Sequence, residues 1–262
     1  MNPAPAGFAL PHFQRLSMLI AFLSDVHGNL PALEAALRDA GRRGANRVIC
    51  AGDMTGYGPF PNDVCRFLAK RRIPAVIGNY DRKVLDAAER TGEFAAAMKS
   101  KKFKILRWTL DHVDKRSRQY LSGLPDRLDL RIPAGGCRFA VVHGSPLSPD
   151  DAVYPSITGR GLERKLSGPR PDVLVCGHTH IPFTKRLGGM LVVNCGSAGH
   201  PVDGDWRPSY ALVRVEKGER PHASIVRFAD EWERTVAALE ETKLPGGLRK
   251  DFSEGNKRRF AE

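Results

Sequence analysis

The chain has 262 residues, and its 41 Lys and Arg exceed its 29 Asp and Glu, which gives a formal net charge of +12. Hydrophobic residues make up 42% of it, so a chain disordered throughout and a collagen-like fibre are excluded. The longest apolar run, Met18 to Leu23, is far below the roughly 18 residues of a membrane span, and we expect no membrane partner. Taken by itself, the basic excess would fit nucleic acid, an anionic membrane surface or acidic substrates as partners.

The five cysteines stand singly and form no C-x-x-C pair. They are Cys50, Cys65, Cys137, Cys176 and Cys195. Because four of them lie in or beside apolar strand-like runs, we expect reduced core thiols and a cytoplasmic location. Residues 1–17 contain three prolines and are interpreted as a flexible N-terminal extension, with Met18 as an alternative start of translation.

Buried strands and amphipathic helices alternate along the first half of the chain. Strands are predicted over Met18–Ser24, Arg47–Ala51 and Ile73–Ile77, and helices over Leu30–Ala40 and Asn62–Arg71. From Lys83 to about Leu121 the pattern is helical throughout, with a break near Glu93.

The second half is dominated by hairpins. Its strands are predicted over Leu128–Ile132, Cys137–Val142, Asp172–Cys176, Phe183–Leu187, Met190–Asn194, Tyr210–Val215 and Ala223–Phe228. A closing helix is predicted from about Glu231 to Glu241. A βαβαβ half followed by hairpins predicts two packed sheets covered by helices. We expect one domain over residues 18–242, followed by a basic C-terminal tail over 243–262.

Small polar clusters follow five of the predicted strands. Their chemistry-bearing residues are Asp25, His27, Asp53, Asn79, His143, His178 and His180. In open α/β sheets, functional sites form where strands end, because the loops there carry the reactive groups. Each cluster alone has an ordinary explanation, such as a turn, a helix cap at Asn29 or a core histidine. Five of them in succession favour one shared site.

This ordered set resembles the calcineurin-like metallophosphoesterase superfamily, and within it the small bacterial and archaeal phosphodiesterases. The loop Gly56-Tyr57-Gly58-Pro59 and the segment Asn194–Asp205 carry further similarity, and the resemblance extends from Met18 to Phe228. It implies an α/β fold, a four-layer αββα sandwich of two mixed β-sheets flanked by helices. The metal site is then expected at the carboxyl ends of the strands.

The resemblance also implies that the protein binds two divalent metal ions, and it assigns each of the seven residues to one ion or to both. The first ion would be bound by Asp25, His27 and His180, the second by Asn79, His143 and His178, with Asp53 bridging both. Carboxylate, amide and imidazole ligands suit Mn²⁺, which we expect first, and also Fe, Zn²⁺ or Ni²⁺. The implied activity is hydrolysis of phosphate esters by a hydroxide that bridges the two ions.

One position departs from the family pattern. Many members have histidine directly after the metal-binding asparagine, where it is taken to protonate the leaving group, and this chain has Tyr80. A phenol, with a pKa of about 10, is a weaker acid than imidazolium. We therefore expect diester or phosphoanhydride substrates to be preferred over monoesters, although Tyr80 could equally only pack over the site. Tyr57 and His200 are candidate substrate-binding residues, with a structural role as the alternative.

The expected partner is a small phosphorylated substrate, and a homodimer is implied at the level of the family. Nucleic acid is possible but not favoured, because the basic run from Lys99 to Arg107 has helical core spacing and few aromatic residues for base stacking. Two alternatives stay open beside the enzyme. One is a catalytically weak interaction protein on the same fold, like the retromer subunit that resembles this family, and the other is a nuclease-type member.

Overall fold

The structure is a computed structural model that describes residues 17–89, 101–245 and 247–254. The predicted N-terminal extension, Ser17 apart, lies outside these residues. The predicted break near Glu93 and the end of the predicted basic tail lie outside them as well.

Nine strands in the described ranges form two mixed sheets. They are β1 (Ser17–Leu23), β2 (Arg47–Cys50), β3 (Arg127–Ile132), β4 (Cys137–Val142), β5 (Val173–Cys176), β6 (Phe183–Leu187), β7 (Met190–Asn194), β8 (Ser209–Glu216) and β9 (His222–Arg227). The first sheet has the order β2-β1-β8-β9, and the second has the order β3-β4-β5-β7-β6. Because β1 is parallel to β2, and β4 and β7 are parallel to β5, the loops after these strands leave each sheet at one edge.

The helices of the described residues cover these sheets. They are α1 (Leu30–Arg42), α2 (Pro61–Lys70), α3 (Asn79–Glu89), α4 (Lys101–His112), α5 (Lys115–Ser122), α6 (Gly159–Glu163), α7 (Trp232–Glu240) and α8 (Gly247–Glu254). α1 begins where the Asn29 side chain accepts a hydrogen bond from Ala32 N, with Pro31 in its first turn, a sequence that favours helix initiation. None of the described helices is both long and apolar enough to cross a membrane.

Three apolar clusters define the layers. Between the sheets, Phe22 of β1 stacks on Phe139 of β4 with ring centroids 5.7 Å apart. On the outer face of the first sheet, the cluster includes Leu33 of α1 and Leu68 of α2. On the outer face of the second sheet it includes Leu162 of α6. The predicted four-layer αββα sandwich is confirmed, and its fourth layer is thin because α6 is only five residues long.

The prediction of a regular strand over Ile73–Ile77 is wrong. The segment runs beside β2, but Ala75 forms only an isolated parallel bridge with Cys50. Cys50 N donates to Pro74 O at 2.9 Å, and Val76 N donates to Cys50 O at 3.1 Å. Pro74 has no N–H, so this short run cannot continue the ladder as a regular strand.

One helix begins earlier than predicted, and two helices were not predicted. α3 begins at Asn79, four residues before the predicted start at Lys83, and the sequence interpretation did not include α6 or α8. α8 lies within the segment that we interpreted as a basic tail. Leu248 and Phe252, four residues apart on this helix, are buried in an apolar cluster, which explains why the segment is helical despite its many charges.

Candidate active site

The seven candidate metal ligands lie together at one edge of the sandwich. Six follow β1, β2, β4 and β5 directly, and Asn79 stands at the N-terminus of α3. Six of them are at most 8% exposed, and His178 is half-buried. The polar clusters after the strands therefore meet at one place, as their positions in the sequence predicted.

The backbone at this edge is unusual, because five of the seven residues have a positive φ. These residues are Asp25 (55°), His27 (49°), Asp53 (53°), His178 (65°) and His180 (59°). Non-glycine residues rarely adopt this conformation, which costs about 1–3 kcal/mol each where the surrounding structure imposes it. Such strain concentrates at functional sites, so the backbone independently marks this edge as one.

Each of the two carboxylates has one oxygen fixed by the backbone. Asp25 Oδ2 accepts a hydrogen bond from His178 N at 2.9 Å, and Asp53 Oδ1 accepts one from Tyr80 N at 2.7 Å. Asp25 Oδ1 and Asp53 Oδ2 are thereby directed towards the imidazoles. The backbone of one cluster thus orients the carboxylate of another.

Three of the histidines present the same nitrogen to the site. His27 Nδ1 donates to Thr55 O at 2.9 Å, His143 Nδ1 to Ala51 O at 2.8 Å, and His180 Nδ1 to the backbone carbonyl of residue 200 at 2.5 Å. Because a carbonyl oxygen only accepts, these bonds fix the tautomer. A neutral ring then points its Nε2 lone pair into the site.

The Nε2 atoms surround the two inward-facing carboxylate oxygens. His180 Nε2 lies 3.1 Å from Asp25 Oδ1 and 3.2 Å from His27 Nε2. His27 Nε2 and His143 Nε2 lie 3.5 Å and 3.4 Å from Asp53 Oδ2. Five electron-pair donors are therefore gathered within a few ångströms of one another.

The remaining ligand candidates form the second half of the site around Asn79. Asn79 Oδ1 lies 3.0 Å from His143 Nε2 and 3.1 Å from His178 Nδ1. Asn79 Nδ2 donates to Asp150 Oδ1 at 3.1 Å, and Lys83 Nζ donates to the same oxygen at 2.8 Å. Asp150 thus turns the amide so that its oxygen faces the two imidazoles. We had not assigned Asp150 a role from the sequence.

The charged groups of the site shift one another's pKa values. Burial would raise the pKa of the Asp25 carboxyl, but the imidazoles of His180 and His143 hold that pKa well below its usual range. Burial opposes a charge on His143, yet the carboxylates of Asp53 and Asp25 raise its pKa to about 10. Burial lowers the pKa of His178. The two buried carboxylates therefore favour positive charge beside them.

This donor set fits divalent metal ions. Within the described residues, Asp25 Oδ1 is buried and accepts no hydrogen bond of good geometry. The facing Nε2 atoms of His27 and His180 repel each other when both rings are neutral. Two groups of three side chains can each place ligand atoms within 4.8 Å of one another, namely Asp25, His27 and His180, and Asp25, Asp53 and His143. Carboxylate and imidazole ligands in such groups suit Mn²⁺, Fe, Zn²⁺ and Ni²⁺.

Asp81 ties the two halves of the site together, and the sequence analysis missed this role. Its carboxylate accepts hydrogen bonds from the backbone N–H groups of Met54, Thr55 and Gly78 and from the Thr55 hydroxyl, at 2.8–3.1 Å. Burial and the charge of Asp53 raise the pKa of Asp81. The loop after β2 is thus fixed to the start of α3. The only sequence signal was its place two residues after Asn79.

A glycine allows this close approach. A Cβ atom on Gly78 would lie 2.0 Å from Asp53 Oδ1 and 2.1 Å from Asp53 N. Any other residue at this position would therefore displace the Asp53 loop.

Aromatic side chains form a wall beside His27. Tyr57 stacks on His200 with ring centroids 4.5 Å apart, and Tyr57 and Tyr80 are 5.2 Å apart. Tyr57 is half-buried, whereas Tyr80 is 8% exposed and His200 is 4% exposed. The three residues that the sequence singled out around the metal ligands are thus contiguous, and Tyr57 is the most accessible of them.

We expect Asp81→Ala to lower the free energy of unfolding by about 3 kcal/mol, because a buried donor left without its acceptor costs about 1–3 kcal/mol. Urea unfolding followed by circular dichroism measures this change. Asp86→Ala is the matched control, since Asp86 is exposed on the same helix, and we expect it to change stability by less than about 0.5 kcal/mol. Equal effects of the two substitutions would contradict the role of Asp81.

The comparisons with known proteins agree with this geometry. The model of the calcineurin-like phosphoesterase superfamily domain matches residues 18–218. An uncharacterised protein of Methanocaldococcus jannaschii is 27% identical over 249 residues, which cover 88% of this chain and 95% of that protein. The phosphodiesterase YfcE of Escherichia coli is 28% identical over 197 residues, which cover 75% of this chain and 87% of YfcE.

A solved structure supports the same conclusion. The crystal structure of a metallophosphoesterase from Sphaerobacter thermophilus superposes with a TM-score of 0.72 at 29% identity, over 91% of this chain and 99% of that one. The family model covers well over half of the chain, and the Sphaerobacter thermophilus protein shares the fold and is named a metallophosphoesterase. The chain belongs to the calcineurin-like phosphoesterase superfamily and is a metallophosphoesterase.

Proposed function

We propose that this enzyme hydrolyses phosphodiesters or phosphoanhydrides at a centre of two divalent metal ions. The observation that carries the proposal is the convergence of electron-pair donors on the two buried carboxylates Asp25 and Asp53. An arrangement of this kind without cations would leave buried negative charge and facing lone pairs uncompensated. Mn²⁺ is the ion that we propose, because oxygen and imidazole ligands are both present and no thiolate is among them.

We propose that Asp25, His27 and His180 bind one ion and that Asn79, His143 and His178 bind the other. Either carboxylate could reach both halves, and Asp53 is the better bridge. Its Oδ2 is nearly equidistant from His27 Nε2 and His143 Nε2, at 3.5 Å and 3.4 Å. Asp25 Oδ1 is displaced towards one side, at 3.1 Å from His180 Nε2 and 4.0 Å from His143 Nε2.

When bound, two such ions supply a water of lowered pKa and neutralise the phosphoryl oxygens. The chain supplies the geometry. The carbonyl groups that accept from His27, His143 and His180 keep these rings in the Nδ1–H tautomer, and Asp150 keeps the oxygen of Asn79 turned inwards. Outer partners of this kind typically change metal affinity or activity 10–100-fold.

Tyr80 determines the substrate class in this proposal. It stands where many relatives have a histidine that protonates the leaving group. Its ring lies edge-on to His27 at 5.9 Å, and burial raises its pKa above the ordinary phenol value, so it releases a proton less readily than a free phenol. Leaving groups that need no proton, such as aryl oxides or phosphates, should therefore react best.

Tyr57 is the residue of the aromatic wall that we propose to contact the substrate, because it is half-buried beside His27 at a centroid distance of 4.7 Å. His200 was a second substrate-binding candidate. Its 4% exposure and its stacking behind Tyr57 favour a supporting role, in which it holds the Tyr57 ring in place.

We expect the Mn²⁺-loaded protein to hydrolyse bis-p-nitrophenyl phosphate and the metal-free protein to be inactive. Asp53→Asn should lower kcat/KM at least about a hundredfold, because even outer partners of metal ligands change activity 10–100-fold. Release of p-nitrophenolate measures the rate. Asp86→Asn, an exposed change on α3, serves as the control and should leave the rate unchanged.

An absence of turnover in the wild type, with no bound metal, would contradict the enzyme and favour the interaction protein on the same fold. Hydrolysis that Asp53→Asn leaves unchanged would place the activity outside this site. Binding of DNA or RNA that weakens steeply with salt would favour the nuclease-type member.

We expect Tyr80→His to raise the turnover of alkyl phosphomonoesters by more than about threefold, because an imidazolium can protonate their poor alkoxide leaving groups. Diester turnover with the p-nitrophenolate leaving group should change less. Steady-state kinetics on a monoester and a diester with matched metal loading measures both. Tyr80→Phe separates the hydroxyl from the ring, since it keeps the packing. A gain in monoester turnover below threefold for Tyr80→His would contradict the leaving-group argument.

A further inference from the structure

The two C-terminal helices lie outside the part of the chain that matches the family domain, which ends at residue 218. We call α7 and α8 the C-terminal helical pair. α7 packs against α1 and α8. Leu239 of α7, Leu248 and Phe252 of α8, and Leu244 in the turn between the helices belong to an apolar cluster that also contains Tyr80. The pair is therefore packed against the wall of the proposed active site.

A buried hydrogen bond joins α7 to the loop that carries Asp25 and His27. Thr235 Oγ1 donates to Asn29 Oδ1 at 2.8 Å, and Thr235 is fully buried. Asn29 Nδ2 in turn donates to Gly199 O at 2.9 Å. Thr235 thus supports a side chain that connects the loop after β1 with the loop around Gly199.

A ring contact joins α8 to His200, which is next to Gly199 in the loop of residues 197–200. Phe252 lies edge-on to His200, with ring centroids 5.2 Å apart. The backbone carbonyl of His200 accepts the hydrogen bond from His180 Nδ1, which fixes the tautomer and direction of that proposed ligand. Phe252 therefore contacts the residue whose backbone carbonyl orients His180.

The loop between these two contacts is clamped onto Asp25. Ser197 Oγ donates to Asp25 O at 2.7 Å and accepts a hydrogen bond from His200 N at 2.7 Å. A Cβ atom on Gly199 would lie 1.9 Å from Val26 O, so the loop and the β1 segment touch without space for a side chain. A displacement of residues 197–200 would move both Asp25 and the partner of His180.

We propose that the C-terminal helical pair sets the metal affinity of the half-site formed by Asp25, His27 and His180, with Thr235 and Phe252 as positioning residues. The inference rests on the proposed function, because it assumes that these side chains bind a metal ion. The mechanism is indirect: Thr235 acts through Asn29 and Gly199, and Phe252 acts through His200. Neither residue touches a proposed ligand.

The test is titration calorimetry of the full-length chain with MnCl₂ alone, without substrate. Thr235→Val keeps the shape of the side chain and removes the hydroxyl. We expect it to weaken Mn²⁺ binding about three- to tenfold, less than the 10–100-fold loss that follows when a direct partner of a ligand is removed. Thr235→Ser restores the hydroxyl and should restore the affinity. Thr242→Val is the matched control, because the Thr242 hydroxyl bonds only locally, in the turn between α7 and α8: it donates to Leu239 O and accepts from Leu244 N.

Phe252→Leu provides a second variant that keeps apolar bulk in the cluster and removes the ring edge from His200. It should weaken Mn²⁺ binding in the same direction as Thr235→Val. At saturating Mn²⁺, hydrolysis of bis-p-nitrophenyl phosphate by either variant should return to within about threefold of the wild type, because a positioning role acts through metal affinity. Because bound metal also stabilises a partly unfolded protein by mass action, the metal-free variants must show the wild-type circular dichroism spectrum for this recovery to support a positioning role.

The outcomes are distinct. Weaker binding in Thr235→Val, rescue in Thr235→Ser and no change in Thr242→Val support the inference. Equal changes in Thr235→Val and Thr242→Val, or unchanged affinity in a destabilised Thr235→Val, overturn it while leaving the proposed function in place. A wild type that binds no Mn²⁺ overturns the proposed function, and this inference with it.

Discussion

Two carboxylates are buried at the same edge of the sandwich, and the backbone and side chains around them are arranged to compensate their charge. Asp25 is fully buried and Asp53 is 3% exposed, and a buried charge without compensation is costly by several kcal/mol. Their inward oxygens face imidazole Nε2 atoms at 3.1–3.5 Å. Protons could neutralise this arrangement, and so could metal ions. The backbone carbonyls hold each ring by its Nδ1–H group, so each Nε2 atom is left to take up a proton or a metal ion. A metal ion satisfies several of these donors at once, whereas a proton satisfies one Nε2 atom.

The fold brings these groups together and stabilises the strained backbone conformation of the residues that carry them. Parallel strands deliver the ligand loops to one edge, and the stacked rings of Phe22 and Phe139 tie the two sheets to each other. The positive φ angles of five candidate ligands persist only where neighbouring contacts impose them. Asp81, which bonds to two loops at once, provides such contacts. The packing of the core and the chemistry of the edge are therefore parts of one arrangement.

Much of this was predictable from the sequence, because strands are short apolar runs and the ligands follow them directly. β6 and β7 have the predicted bounds, and the seven ligand candidates lie together. The supporting residues were not predictable, since their partners are remote in sequence: Thr235 and Asn29 are 206 positions apart. The segment around Pro74 shows a second limit of sequence-based prediction. Hydrophobic periodicity indicates which residues are buried, but it does not indicate whether each backbone N–H can form a hydrogen bond to the neighbouring strand. α8 was missed because its segment was interpreted as a basic tail, and the burial of its apolar residues becomes evident only when α3, α4 and α7 are packed beside them.

We propose that this edge binds two metal ions, one in each half of the donor set, with Asp53 between them. An anomalous difference map from crystals grown with Mn²⁺ would locate the ions. We expect two peaks about 3.5–4 Å apart, one beside His27 and His180 and the other beside Asn79 and His178. A single peak at full occupancy, or peaks away from these residues, would contradict it.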